Sequence, residues 1–153
     1  MNLQTFLAQA VLLERESEDG YALLVELTKA KGDLDASAFF SEMVGFSRMH
    51  RETAMSRAGF ASQADVTKWL DSQSTTLPEG ATELPMTADV PSPVDLDAAM
   101  SLTLAAEKRG VVFYENVAAS TNDAEIRTLA QEFATEERSH VLALERYMGL
   151  QPY

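Results

Sequence analysis

The sequence contains no cysteine. Disulfides, thiolate zinc sites, cysteine nucleophiles and iron–sulfur centres held by the chain itself are therefore excluded. A metal bound by these residues would have to be held by carboxylates and imidazoles, a ligand set that suits iron, manganese or zinc. Histidine is nearly as scarce, since His50 and His140 are the only two in 153 residues.

Basic residues and long apolar runs are also few. The chain has 12 Lys and Arg against 24 Asp and Glu, which gives a net charge of −12. Such a surface repels nucleic acid and anionic lipid. No apolar run approaches the roughly 18 residues that a spanning helix needs, and the first 20 residues lack the basic start of a signal peptide. We therefore expect a cytoplasmic protein with no nucleic-acid or membrane partner.

Strand patterns are nearly absent, and helical periodicity dominates. The length predicts one domain, 1–153, with four long helices at about 3–30, 36–58, 93–119 and 122–148. A connection at about 60–92, rich in Ser, Thr and Pro, separates them into two pairs and contains a predicted short helix near 63–72. Short loops within pairs and a long crossover between them are typical of an all-α, ferritin-like four-helix bundle with two antiparallel helix pairs.

Capping residues mark several of the predicted helix ends. Asp33 or Asp35 is a candidate N-cap of the second helix, and Gly59 is its predicted stop. Ser92, followed by proline, is the candidate cap of the third helix. Asn122 is the candidate cap of the fourth.

A spacing of seven residues occurs in both halves of the chain. Tyr21 follows Glu14 by seven positions, and Tyr114 follows Glu107 by seven. Because seven residues make almost two helical turns, each Glu shares a helix face with its Tyr. A single helical glutamate is usually solvated, and this repeated pairing is what singles out Glu14 and Glu107.

The two histidines extend the repeat. His50 comes 36 residues after Glu14, and His140 comes 33 residues after Glu107. His140 also closes a Glu-x-x-His motif with Glu137, which places a carboxylate and an imidazole one turn apart on the same side of a helix. Di-iron bundles use one Glu from each of two helices and Glu-x-x-His from each of the other two.

The second predicted helix departs from that pattern. Three residues before His50 the chain has Ser47, where the repeat calls for a glutamate. The candidate metal ligands are therefore Glu14, His50, Glu107, Glu137 and His140.

On these residues the sequence resembles the ferritin-like di-iron carboxylate domain of the rubrerythrin family across nearly all of its length. The resemblance implies that Glu137 bridges two irons, that Glu14 and Glu107 are terminal ligands, and that His50 and His140 each bind one metal. It also implies that Tyr21 and Tyr114 hydrogen-bond to the ligands from behind.

The chain departs from the family at three points. The second bridging carboxylate would stand at Ser47, and Gly110 stands where rubrerythrins often carry a further Glu. The rubredoxin domain is missing. Three carboxylates leave two ferrous ions with a residual charge of +1, which is costly in a bundle core. Binding of hydroxide, of an exogenous carboxylate or of a nearby Glu, or the loss of one metal, would each remove this residual charge. Glu18 is the spare glutamate nearest in sequence. Glu136 is next to Glu137 but points about 100° away from it.

The resemblance implies oxidoreductase activity: reduction of peroxide or oxidation of ferrous iron. The partners would be a small oxidant, peroxide or dioxygen, and an external electron donor. Related bundles often pair side by side, so this chain could form a homodimer. Manganese, zinc or a single metal ion are alternatives to two irons. Two alternatives remain: a metal-binding or structural ferritin-like protein without turnover, and another di-iron oxidase such as a quinone-type hydroxylase, which an apolar channel to the site would favour.

Overall fold

The computed structural model describes residues 1–73 and 95–150, and in these residues all regular structure is helical. The predicted all-α, ferritin-like bundle is confirmed. Within the described ranges, no helix combines the length and the apolar character that crossing a membrane requires. The helices are α1 (Leu3–Ala30), α2 (Leu34–Ala58), α3 (Gln63–Ser72), α4 (Leu96–Ser120) and α5 (Ala124–Tyr147).

Acidic side chains cap three of the four helices that follow the first, namely α2, α4 and α5. Asp33 accepts a hydrogen bond from the backbone N–H of Ala36 at the start of α2. Asp95 caps α4, and Asp123, rather than the neighbouring Asn122, caps α5 by accepting from two backbone N–H groups. Gly59 ends α2 with a φ of 79°, a left-handed conformation that glycine adopts without strain.

The predicted cap at Ser92 and most of the crossover at 60–92 lie outside the described residues. The part of the crossover that is described contains α3, at the same residues as the predicted short helix.

Contacts along the helices show that α1 and α2 run antiparallel. The side-chain amide of Gln4 donates to the carbonyl oxygen of Ala58 at 3.1 Å, which brings the start of α1 to the end of α2. Further along, the rings of Tyr21 and Phe40 stack with centroids 6.4 Å apart. A connection of only three residues, 31–33, makes the reversal.

The second pair has the same geometry. Lys108 on α4 lies 3.5 Å from Glu145 on α5, and Glu115 contacts Arg138 almost two turns further along. Residues 121–123 form the short connection. Four long helices arranged as two antiparallel pairs therefore surround one interior.

That interior consists of two apolar clusters with a polar layer between them. Members of the first cluster include Phe6, Leu7, Val11, Phe113, Tyr114, Ile126 and Ala134. Members of the second include Tyr21, Leu24, Phe40, Met43, Leu104 and Leu144. On each long helix the residues between the two clusters carry buried polar side chains, among them Glu14, Ser47, Glu107 and Glu137.

Helix α3 covers one end of the first cluster. Val66 and Leu70 are buried there, and the indole N–H of Trp69 donates to the hydroxyl of Thr5 on α1 at 3.2 Å. The short helix of the crossover is thus anchored to the bundle by both apolar and polar contacts.

We expect Leu70→Ala to lower the free energy of unfolding by about 2–4 kcal/mol, because it removes a buried side chain from the cluster. Lys68→Ala, on the exposed side of the same helix, is the control and is expected to change it by less than about 0.5 kcal/mol. Urea unfolding measures both. Equal stabilities for the two variants would show that α3 does not contribute to the core.

Candidate metal centre

Three carboxylates and one imidazole are buried in the polar layer. The exposed fraction is 4% for Glu14, 0% for Glu107, 3% for Glu137 and 7% for His140. His50 is half-buried, with 16% of its side chain exposed. Ionised groups are rarely buried unless they are paired or bind a metal, so this layer is chemically unusual.

The five predicted ligands form two groups that share one residue. Glu14, His50 and Glu137 offer ligand atoms within 4.8 Å of one another, and so do Glu107, Glu137 and His140. Each group could hold one metal ion, and Glu137 belongs to both. The structure therefore brings together all five residues in an arrangement that matches two adjacent metal positions with one shared carboxylate.

Both histidines turn the same ring nitrogen towards the carboxylates. Nδ1 of His140 lies 3.3 Å from Glu107 Oε2 and 3.9 Å from Glu137 Oε2. Nδ1 of His50 lies 3.9 Å from Glu14 Oε2. The two imidazoles stack with centroids 5.6 Å apart and an angle of 14° between their planes. Nδ1 is thus the ring nitrogen that faces the buried carboxylates in both groups.

Hydroxyl groups from α1 hold Glu107 on the opposite helix. Tyr21 donates to Glu107 Oε2 at 3.3 Å, and Ser17 donates to Oε1. Tyr21 therefore supports the glutamate of the other half of the repeat rather than Glu14 on its own helix. The equivalent hydroxyl of Tyr114 is buried without a hydrogen-bond partner. The sequence did not single out Ser17, and its only signal is its position three residues after Glu14.

Burial and mutual repulsion perturb the ionisation of the carboxylates. Burial raises the pKa of Glu14 to about 7; a hydrogen bond with Glu137 opposes the shift and the charge of Glu107 adds to it. Burial, together with the charges of Glu107 and Glu14, raises the pKa of Glu137 well above its ordinary value. Burial would lower the pKa of His140, but its contact with Glu107 raises it. Burial lowers the pKa of His50, against the charge of Glu136.

Three arginines near this layer pair with other carboxylates instead of neutralising it. Arg48 and Arg51 bind Glu18 at 3.0 and 2.8 Å, and Arg109 binds Glu16 at 2.9 Å. A bound cation would supply the missing positive charge.

Several buried atoms at the site lack hydrogen-bond partners, as expected for metal ligands. They include Oε2 of Glu14 and Nδ1 of His50 and His140. Buried polar atoms are normally hydrogen-bonded, so unpartnered atoms that face one another need another partner. Carboxylate and imidazole donors fit iron, manganese or zinc. The residues present therefore fit a metal centre.

The structure also locates the departures from the rubrerythrin pattern. Ser47 is fully buried one turn before His50, and its hydroxyl has no hydrogen-bond partner. A Cβ at Gly110 would lie 3.6 Å from Glu137 Oε2, so this position faces the shared carboxylate and leaves space beside it.

Neither of the two spare glutamates belongs to the ligand groups. Glu18, the nearest spare in sequence, is held by Arg48 and Arg51 and is not free to enter the site. Glu136 instead lies 3.2 Å from Nε2 of His50. Glu136 thus contacts His50 from outside these groups, at the ring nitrogen other than Nδ1.

A groove of about 240 Å³ reaches the site at His50. It is lined by Met49, His50, Thr53, Arg57, Leu129, Glu132, Phe133 and Glu136. Its lining mixes charged and apolar side chains. It is not the apolar channel that would favour a quinone-type hydroxylase.

Comparison with solved structures extends the fold assignment. The chain is similar to the crystal structure of an uncharacterized conserved protein from Magnetospirillum magnetotacticum MS-1, with 26% sequence identity and a TM-score of 0.71. The match covers 100% of this chain and 97% of that chain. No model of a known protein family matches the chain, and no curated protein matches it. The chemistry of the site therefore has to be argued from its own residues.

The stability of the metal-free protein is expected to fall by on the order of 2 kcal/mol from pH 5 to pH 8. A carboxyl whose pKa is raised in the folded state stabilises the fold below its unfolded pKa, and this contribution is lost as the pH rises through the folded value. Glu14, with a pKa of about 7, and Glu137 both act in this direction. His140, with a raised pKa, and His50, with a lowered one, oppose each other.

Urea unfolding in the presence of a chelator measures this dependence. Glu14→Gln keeps the size of the side chain and removes its ionisation, so it should flatten the profile. A stability that is constant or rises between pH 5 and pH 8 would show that burial and mutual repulsion do not raise the pKa values of these carboxyl groups.

Proposed function

We propose that this protein is a non-haem dinuclear metal carboxylate protein of the rubrerythrin type, with iron as the favoured metal, that reduces peroxide or oxidises ferrous iron. The observation that carries the proposal is the pair of ligand groups that share Glu137. One shared carboxylate between two terminal ones is the arrangement expected for two adjacent ions. Manganese or zinc fits the same donors.

The residues of the chain have distinct tasks in this proposal. Glu137 would contact both ions, Glu14 and Glu107 one each, and the two Nδ1 atoms would complete the set. When bound, iron would supply the electrons for reduction of peroxide, and in the ferroxidase reaction ferrous iron is itself the substrate. An external donor would return the two electrons that conversion of peroxide to two waters consumes.

The surroundings of the ligands favour a site of this kind. The two apolar clusters exclude bulk water above and below the layer, which keeps the ligands fixed and strengthens their electrostatic interactions. Ser17 and Tyr21 orient Glu107. The groove at His50 gives a small oxidant a path from the surface.

Peroxide should oxidise the anaerobically reconstituted ferrous protein at least about tenfold faster than free ferrous iron, because the ligands hold the iron beside the entry path. Stopped-flow absorbance measures the rate. Glu137→Gln removes the shared carboxylate charge and should bring the rate close to that of free iron, whereas Glu26→Gln, on an exposed part of α1, should not. Equal rates for wild-type protein and free iron would overturn the proposed activity.

A second candidate is a metal-binding or structural ferritin-like protein without turnover. The observation that favours it is Ser47, whose buried and unpartnered hydroxyl stands where the repeat calls for a second shared carboxylate. With three carboxylates the site retains positive charge when two divalent ions are bound, and one of the two positions would then be weak.

Ser47→Glu tests this candidate by adding the missing carboxylate. If the second position is weak in the wild-type protein, the variant should raise iron content from about one to two per chain in elemental analysis after anaerobic reconstitution. Ser47→Gln has nearly the same size without the charge and should not. Two irons per chain in the wild-type protein would instead show that the departure is compensated.

A further inference from the structure

The repeat that relates α2 to α5 includes a pair of residues outside the proposed ligands. An offset of 90 relates His50 to His140, and the same offset relates Phe46 to Glu136, each four residues before its histidine. One turn of helix separates each of them from the histidine that follows. The repeat therefore places an aromatic ring on one helix where the other has a carboxylate.

Each member of this pair contacts the histidine of the other helix. Glu136 Oε2 lies 3.2 Å from Nε2 of His50. The ring of Phe46 stacks on His140 with centroids 6.2 Å apart and an angle of 17° between the planes. The two contacts are related by the repeat, but among the described residues a carboxylate faces Nε2 of His50 and none faces Nε2 of His140.

Glu136 lies behind His50 as seen from the carboxylate layer. Nε2 of His50 faces Glu136, while Nδ1 is buried and lies 3.9 Å from Glu14 Oε2. An imidazole that binds metal through one nitrogen commonly donates its other N–H to a carboxylate, which fixes the ring orientation and makes the ligand more basic. The geometry at His50 matches this arrangement.

A purely stabilising ion pair explains the contact less well. The side chain of Glu136 is 45% exposed and lies on the rim of the groove. Exposed ion pairs contribute little to stability, because water screens them. Loss of Glu136 should therefore leave the fold intact and act through His50.

We propose that Glu136 is a positioning residue that orients His50 and serves one of the two metal positions, the one formed by Glu14, His50 and Glu137. Phe46 occupies the related place at the other position, where it contributes stacking and no acceptor for the N–H of His140. The two positions are therefore unequal in a way that depends on residue 136. This inference rests on the proposed dinuclear site and names a residue that acts on one half of it.

Titration with Co²⁺ under anaerobic conditions tests the inference without reference to activity. Visible absorption reports the coordination of each equivalent, and competition with a chelating dye gives its dissociation constant. Glu136→Ala should weaken one of the two equivalents about 10- to 100-fold and leave the other unchanged. Glu136→Gln keeps an acceptor oxygen and should have a smaller effect. Glu132→Ala, on the same helix and groove, should match the wild-type protein.

Phe46→Glu supplies the complementary test. It introduces a carboxylate at the place related to Glu136, so it should tighten the other equivalent relative to Phe46→Ala, which removes the same stacking.

The thermal midpoint of the metal-free Glu136→Ala protein should equal that of the wild-type protein, which would show that its fold is intact.

The outcomes separate this inference from the proposed function. Two Co²⁺ per chain in the wild-type protein with no change in Glu136→Ala would overturn the role of Glu136 and leave the dinuclear site in place. Equal weakening of both equivalents would also overturn it, because the residue would then act on the whole bundle. A wild-type chain that takes up no Co²⁺ would overturn the proposed function and this inference together.

Discussion

Mutual repulsion among three buried carboxylates is the constraint on which the rest of the structure depends. Glu14, Glu107 and Glu137 lie in one layer of the bundle, with exposed fractions of at most 4%. Charges of the same sign at such short range, away from water, cannot all persist without protons or cations. The raised pKa values of Glu14 and Glu137 show how the metal-free chain meets this requirement. A metal ion bound in this layer would compete with protons for the same oxygens.

The two apolar clusters stabilise the bundle despite the carboxylates buried between them. They lie on either side of it and bury aromatic and aliphatic side chains from all four long helices, so the bundle does not rely on the layer for its cohesion. The polar layer also specifies register. A slip of one turn along α5 would move Glu137 and His140 into an apolar cluster, where neither would find a partner. Stability and positioning are therefore assigned to different parts of the interior.

The sequence was sufficient to predict the class of fold and the five residues of the cluster, because both follow from spacing. Helical periodicity can be recognised within one segment of the sequence. The repeat can be recognised from spacing alone, since 93 residues separate Glu14 from Glu107 and 90 separate His50 from His140. The partners of these residues were harder to predict. Tyr21 hydrogen-bonds to Glu107 across the bundle, and Glu136 faces His50 across another interface. Contacts between helices depend on their separation and rotation, which spacing along the chain does not determine.

The departures from the expected pattern of carboxylates fall into two groups that affect different parts of the site. Ser47 stands where the repeat calls for a glutamate, and Gly110 faces Glu137 without a side chain, so less negative charge would be available to a bound metal. Glu136 adds a carboxylate beside Nε2 of His50, where, in the proposed dinuclear site, it would make the imidazole a better metal ligand. The site therefore has fewer carboxylates at its centre than the expected pattern, and it has an additional one, Glu136, at its edge beside the groove. In the proposed dinuclear site, the two metal positions would therefore have different surroundings, and Glu137 would be the one carboxylate that they share.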